Sequence, residues 1–268
     1  MVKNKTHTIL KTNALSIGYT NKKNISVITT NINLDLKEGE LIGLIGANGI
    51  GKSTLLRTLS AIQRPLKGDI TINKLPLESY TSLELSKQMS LVLTEQLTSK
   101  HLSVYELIAL GRQPYTNWVG RLSKEDIVQI DKAITLTHLT DLKNRKCFEL
   151  SDGQLQKVMI ARALAQDTKL IILDEPTSHL DLYHKAYILK LLQTLAKETN
   201  KTIVFSSHEI DLAIQLCDTM IVMTNDKVIS ESPCNLINQG VFETLFPKDL
   251  IHFDKHTGRF IIDKNQRH

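Results

Sequence analysis

Gly46, Asn48, Gly49, Gly51, Lys52, Ser53 and Thr54 fall within one stretch, Gly46-Ala47-Asn48-Gly49-Ile50-Gly51-Lys52-Ser53-Thr54, with the spacing G-x-x-x-x-G-K-[ST]. Glycines at these places let the backbone curl so that successive N–H groups face an anion, and a helix beginning there adds its partial positive charge. Lys52 would reach the β- and γ-phosphates of a nucleoside triphosphate, and Ser53 would ligate Mg²⁺. A second group of chemically capable residues ends the apolar run Leu170-Ile171-Ile172-Leu173 with the carboxylates Asp174 and Glu175. Strand ends of open α/β sheets are where ligands bind, so both carboxylates are expected beside the phosphates. Asp174 would hold Mg²⁺ through water, and Glu175 would orient or deprotonate an attacking water.

A loop of this kind needs a strand before it and a helix after it, and the chain supplies Leu41-Ile42-Gly43-Leu44-Ile45 and Leu55-Leu56-Arg57-Thr58-Leu59. Upstream, residues 8–17 and 31–36 alternate as strands do, the second with Ile32, Leu34 and Leu36 on one face. Residues 70–72 and 91–93 are further short strands. After Gln96 the pattern turns helical. Ser103-Val104-Tyr105-Glu106 and Ser123-Lys124-Glu125-Asp126 both fit the capping pattern [ST]-x-x-[DE], and Gly111-Arg112-Gln113-Pro114-Tyr115 between them is read as breaking the helix. Residues 97–150 therefore read as a helical insert. Strand and helix then alternate through 170–173, 202–206 and 220–223, which read as parallel strands buried on both faces. A hairpin is expected around His256-Thr257-Gly258-Arg259.

Composition sets the bounds. The 268 residues suit one α/β domain, and 41% hydrophobic with 23% charged residues is ordinary for a globular protein. The polar N-terminus lacks a signal-peptide core and no apolar run approaches a bilayer span, so a cytoplasmic chain is expected. Cys147, Cys217 and Cys234 are too scattered for a C-x-x-C site and fit unpaired thiols. The nine histidines show no metal-ligand spacing; His179 and His184 are read as lying on different faces of a helix. The net charge of +5 is spread rather than blocked, which reads as solvated surface and gives no reason to expect a nucleic acid partner.

Leu150-Ser151-Asp152-Gly153-Gln154, directly before an expected helix from Leu155 to Ala165, resembles the L-S-G-G-Q signature of the ATP-binding cassette (ABC) ATPase family. The resemblance runs through nearly the whole chain in order. Tyr19 is similar to the aromatic platform that stacks on adenine, Ser178-His179-Leu180-Asp181 to the D-loop, and His208 to the switch histidine that contacts the γ-phosphate. The resemblance implies an α/β fold with a P-loop nucleotide-binding core of ABC type and an antiparallel β part (residues 1–96 and 151–230), a helical subdomain (97–150) and a C-terminal extension (231–268). It also implies that two copies sandwich two ATP molecules with Mg²⁺. Each ATP is then held by the phosphate loop of one copy and by Ser151, Gly153, Gln154 and Asp181 of the other. Hydrolysis, with Glu175 and His208 as the catalytic pair, loosens that interface.

Two departures stand out. Asp152 replaces the first signature glycine; its carboxylate is expected to turn outward and favour the helix N-terminus. The Q-loop glutamine, a metal contact in the family, is matched here by Thr94-Glu95-Gln96, so that either Glu95 or Gln96 could fill the role.

The run from Leu102 to Tyr115, followed by Trp118-Val119-Gly120-Arg121, is similar to the segment after the Q-loop in ATPases of bacterial iron-siderophore, haem and cobalamin importers. Tyr115 and Trp118 are expected to shape a cleft for the permease. Such a subunit would lie on the cytoplasmic face of the cell membrane, bound to integral-membrane permease subunits and served indirectly by a substrate-binding protein. The chain has one cassette and no long heptad insert, unlike ribosome-acting and chromosome-maintenance relatives. The alternative is a soluble ABC ATPase of iron–sulfur cluster assembly.

Overall fold

A computed structural model describes residues 7–21, 24–93, 101–246, 251–255 and 257–262. Glu95, Gln96 and His256 lie outside the described residues. The first half runs β1 (Thr8–Asn21), β2 (Asn24–Ile32), β3 (Asp35–Lys37), β4 (Leu41–Gly46), α1 (Lys52–Leu59), β5 (Lys67–Ile72), β6 (Leu75–Pro76), α2 (Ser82–Ser86) and β7 (Met89–Val92). The helices α3 (Val104–Ala109), α4 (Lys124–Leu136) and α5 (Asp152–Ala165) follow. Alternation returns with β8 (Leu170–Leu173), α6 (Leu182–Thr199), β9 (Thr202–Ser206), α7 (Ile210–Leu216), β10 (Thr219–Met223) and β11 (Val228–Glu231). The chain closes with α8 (Pro233–Asn238), β12 (Ile251–Asp254) and β13 (Arg259–Ile262).

Six strands form the central sheet in the order β11-β10-β4-β9-β8-β7, all parallel except the edge strand β11. Its inner strands are mainly apolar because both faces are covered, with hydroxyl residues only near their ends. On β4, Leu41 and Ile45 point into a core shared with the helices, while Ile42 and Leu44 point into a second core under the antiparallel sheet. β8 divides in the same way, Ile171 and Leu173 against Leu170 and Ile172. The period of two therefore serves two cores at once. The antiparallel sheet, β2-β1-β5-β6 with β3 on β1, closes the second core with Ile9, Leu10, Leu15 and Ile17.

Residues 31–36 do not form one strand. Asn31 takes φ 56°, and Asn33 leaves the ladder to accept a hydrogen bond from Ala14 N at 2.9 Å. Ile32, Leu34 and Leu36 are still all buried. Local side-chain hydrogen bonding has displaced the continuous ladder while burial kept the apolar set.

Both expected caps occur as capping boxes, Ser103 with Glu106 and Ser123 with Asp126. The segment from Leu110 to Tyr115 does not break the helix but continues it as a 3₁₀-helix. Tightening the turn there brings Arg112 under the helical layer, where Gly111 packs so closely on Arg162 O that no side chain would fit. Arg112 donates from Nε to Asp126 Oδ1 at 2.8 Å and to Ala165 O at 2.8 Å, and its guanidinium lies 4.0 Å from the Tyr115 ring centre. One buried cation thus ties the 3₁₀ segment to α4 and to the end of α5. Phe242 packs on Phe253, Phe253 on Phe260 and Phe260 on Phe246, with centroids 5.0, 5.0 and 5.1 Å apart and the last two contacts edge-on, and this seats the C-terminal hairpin.

Burial acts to raise the Asp126 carboxyl, but the Ser123 backbone and Arg112 more than offset it, so it sits below its ordinary value of 3.8. That contribution is present above the unfolded value and is lost as pH falls through the depressed folded value. Arg112→Leu leaves Asp126 buried without its cation and is expected to cost about 3 kcal/mol in urea unfolding. It should also flatten the acid-induced loss of stability below pH 5.

Candidate functional site

The C-terminal ends of β4, β9 and β8 lie side by side, since β9 pairs with both neighbours. The chain leaves β4 into the phosphate loop, β8 into Asp174 and Glu175, and β9 into Ser207 and His208. Gly51 begins the helix at φ 108°, and a Cβ there would come within 2.6 Å of Ile28 Cγ2, so only glycine fits this turn. A cavity of about 480 Å³ opens in front of the loop, lined by Tyr19, Asn48, Lys52, Ser53, Glu175 and His208 among others.

Lys52 is buried, with Nζ donating to Gly46 O at 2.9 Å and Ala47 O at 3.1 Å. Burial pushes its ammonium below the usual lysine value, and the nearby carboxylates Glu175 and Asp174 offset part of that. A phosphate anion entering here would favour the charged form further. Ser53 Oγ donates to Asp174 Oδ1 at 3.1 Å, so a hydroxyl and a carboxylate converge at the start of α1. Among the described residues no three His, Cys, Asp or Glu side chains gather into a self-sufficient cation site. That donor set fits Mg²⁺, which binds through one or two protein oxygens completed by phosphates and water.

Glu175 has φ 49°, a left-handed conformation that costs a non-glycine residue about 1–2 kcal/mol. The turn brings Glu175 Oε1 2.7 Å from His208 Nε2. Tyr19, 51% exposed, reaches from β1 to share a 2.8 Å hydrogen bond between its hydroxyl and Thr54 Oγ1. Its ring stands at the cavity wall with Ile28.

Ser151, Gly153, Gln154 and Asp181 do not line this cavity. The helix α5 begins at Asp152, three residues before the expected Leu155, because Ser151 is its N-cap. The Ser151 hydroxyl accepts from Gln154 N, and Gln154 Oε1 accepts from Ser151 N. Asp152 is exposed in the first turn. Asp181 caps α6 in turn, accepting from His184 N at 2.9 Å and pairing with His184 Nδ1 at 2.8 Å. A Cβ on Gly153 would meet the His184 ring at 2.9 Å. His184 thus joins the segment of Asp181 to that of Gly153. His179 lies before α6 in a left-handed turn and not on a helix face.

Ser206 was not singled out by its sequence, and the fold puts it at the centre. Fully buried on β9, its hydroxyl donates to Asp174 Oδ1 at 2.7 Å and accepts from Glu175 N at 2.8 Å. The available signal was a hydroxyl residue closing an apolar strand two positions before a candidate histidine. Ser206→Ala is expected to raise the Mg²⁺ concentration for half-maximal ATPase activity about tenfold, one lost charge-assisted hydrogen bond. An unchanged Mg²⁺ titration would show that Ser206 only fills space.

A larger cavity, about 760 Å³, lies away from these groups, lined by Gln63, Arg64, Tyr80, Ser86, Arg162 and Gln166 among others. Gln166 fastens its wall by donating to Met89 O at 3.0 Å.

Residues 29–178 match the family model described as ABC transporter. The chain is 38% identical, over 96% of its length and 88% of the other's, to an ABC transporter ATP-binding protein of Methanocaldococcus jannaschii. It is 37% identical to an iron(3+)-hydroxamate import ATP-binding protein of Bacillus subtilis, over 83% and 81%. Among solved structures, an inward-facing transporter assigned to the metal-chelate type superposes with a TM-score of 0.77 at 28% identity, covering 95% of this chain and 96% of that one. An ATP-binding cassette solved as a post-hydrolysis dimer with ADP and Pi gives 0.71 at 27%, over 84% and 99%.

Proposed function

The chain belongs to the ABC transporter ATP-binding family, and we propose that it is the ATP-hydrolysing subunit of an importer for an iron chelate or a similar metal–organic compound. It is an ATPase of that family, whose cassettes dimerise and work with membrane permeases. The importer reading is supported by the iron-hydroxamate import relative and the metal-chelate type neighbour. The observation that carries the chemistry is the meeting of Lys52, Ser53, Glu175 and His208 at one cavity, with Asp174 hydrogen-bonded to Ser53.

In this reading the ATP phosphates lie on the backbone amides of Gly46 to Thr54 with Lys52 as counter-charge, and adenine rests on Tyr19. Ser53 and Asp174 would hold Mg²⁺, which would supply charge neutralisation to the phosphates. Glu175 accepts the proton of the attacking water, and His208 keeps that carboxylate aimed. Ser151, Gly153, Gln154 and Asp181 act on the nucleotide of a second copy, where the α5 N-terminus meets the γ-phosphate. Closing around ATP and loosening after hydrolysis would switch the permease between two states.

In this reading the permease docks at the 760 Å³ cavity, which is lined by residues between 60 and 91 together with Arg162 and Gln166 at the end of α5. Among the described residues no helix is long and apolar enough to cross a membrane. In this reading the permease holds the subunit at the cytoplasmic face. The transport relatives favour import over iron–sulfur cluster assembly.

Glu175→Gln is expected to bind ATP normally and to slow turnover by roughly 10²–10⁴-fold, leaving an ATP-dependent dimer visible by gel filtration. Near-normal hydrolysis would remove Glu175 from its role. A strain lacking the gene is expected to lose accumulation of labelled siderophore, haem or cobalamin while surface binding persists. Normal uptake with collapsed iron–sulfur enzyme activities would support the assembly alternative.

A further inference from the structure

Tyr115 and Trp118 do not form the cleft pair expected from the sequence. The Tyr115 ring is engaged by Arg112 and lies 5.5 Å from Lys87 Nζ, whereas Trp118 is 97% exposed and Val119 66%. Trp118 is the chain's only tryptophan. Full exposure of the largest apolar side chain is unusual, and here the backbone is built to maintain it. Gly120 N donates to Asn117 O at 2.8 Å, and Asn117 Oδ1 accepts from Val119 N and Arg121 N, each at 3.1 Å. The tip is a closed turn that projects an apolar pair into solvent.

The charges nearest the tip in sequence are basic, with exposed Glu125 following Lys124. From Gln113 to Lys124 there is no Asp or Glu, while Arg121 and Lys124 are exposed. Its place is defined too. Lys87 adjoins Ser86, which lines the 760 Å³ cavity, and Trp118 is three residues from Tyr115, within about 11 Å of it. The turn thus continues directly from the Tyr115 ring that Arg112 and Lys87 engage.

We propose that the turn from Asn117 to Gly120 is a membrane-interface anchor, seating Trp118 and Val119 among the headgroups of an anionic bilayer. Tryptophan suits that layer because its ring is apolar and its indole N–H is a donor, and adjacent basic side chains are drawn to anionic lipid. A convex, rigid tip has no groove of its own to receive a protein segment, which favours the lipid surface over a permease loop. This contact with lipid does not rest on the importer reading.

The test uses the full chain, nucleotide-free at low salt, with vesicles lacking any permease. With phosphatidylglycerol/phosphatidylcholine vesicles, Trp118 emission should move to shorter wavelength and become shielded from iodide, and added salt should reverse both. Arg121→Ala should weaken this partition about fivefold, and pure phosphatidylcholine should give little shift. Trp118→Ala should reduce co-sedimentation while ATPase activity in solution is unchanged. Unshifted emission with every vesicle, or sedimentation without a shift, overturns the proposal. A shift seen only on adding detergent-solubilised permease assigns the turn to that protein and equally overturns it. Failure of the importer reading would be read from uptake and leaves the vesicle result standing.

Discussion

A sheet covered on both faces has nowhere to place charge except at its ends. β4, β8 and β9 alternate Leu, Ile, Val and Phe between two cores, and an unpaired charge within them would cost several kcal/mol. The polar groups of the chain accordingly begin where these strands stop: the phosphate loop after Gly46, Asp174 after Leu173, and Ser206 at the last position of β9. Because the three strands run parallel, those ends coincide. The cavity with Lys52, Glu175 and His208 follows from that topology, and from it follows the place where a triphosphate can be received.

Within the site, short hydrogen bonds turn proximity into orientation. Ser206 holds Asp174 by its side chain and Glu175 by its backbone. Ser53 reaches the same Asp174 oxygen from the start of α1, and Thr54 beside it is tied to Tyr19 on the antiparallel sheet. Nucleotide entering between Tyr19 and Asp174 would therefore touch both sheets at once. The groups proposed to act across a dimer are organised separately. Ser151 and Asp181 each cap a helix, and His184 lies against Gly153 while bonded to Asp181, so the two segments are in contact before any second copy arrives.

The helical layer adds a different device to the apolar packing of α3, α4 and α5, the buried Arg112, whose charge is shared by Asp126, Ala165 O and the Tyr115 ring. Desolvating an ion pair brings little net stability but penalises any arrangement that separates the partners. The 3₁₀ segment, α4 and α5 are thereby held in one relation, and the turn that displays Trp118 starts from this fixed point.

Much of this was legible in the residues themselves, for a reason of distance along the chain. The phosphate loop is contiguous, so its glycines, Lys52 and Ser53 declare their geometry locally; capping boxes need only four residues, and both expected ones are present. Apolar runs at 170–173 and 202–206 announced strands with two buried faces. Local reading failed where neighbours in space decided the outcome. Asn33 bonded to β1 and split residues 31–36, and the needs of Arg112 turned an expected break into a 3₁₀-helix. Ser206 was silent because its partners come from another strand, and the Glu175–His208 pair needs two loops 33 residues apart. The sequence alone determined which chemistry the chain carries, since that depends on residue types at short spacing. The tertiary structure alone decided which groups share one cavity and which face outward, because only strand order brings distant residues within hydrogen-bonding reach.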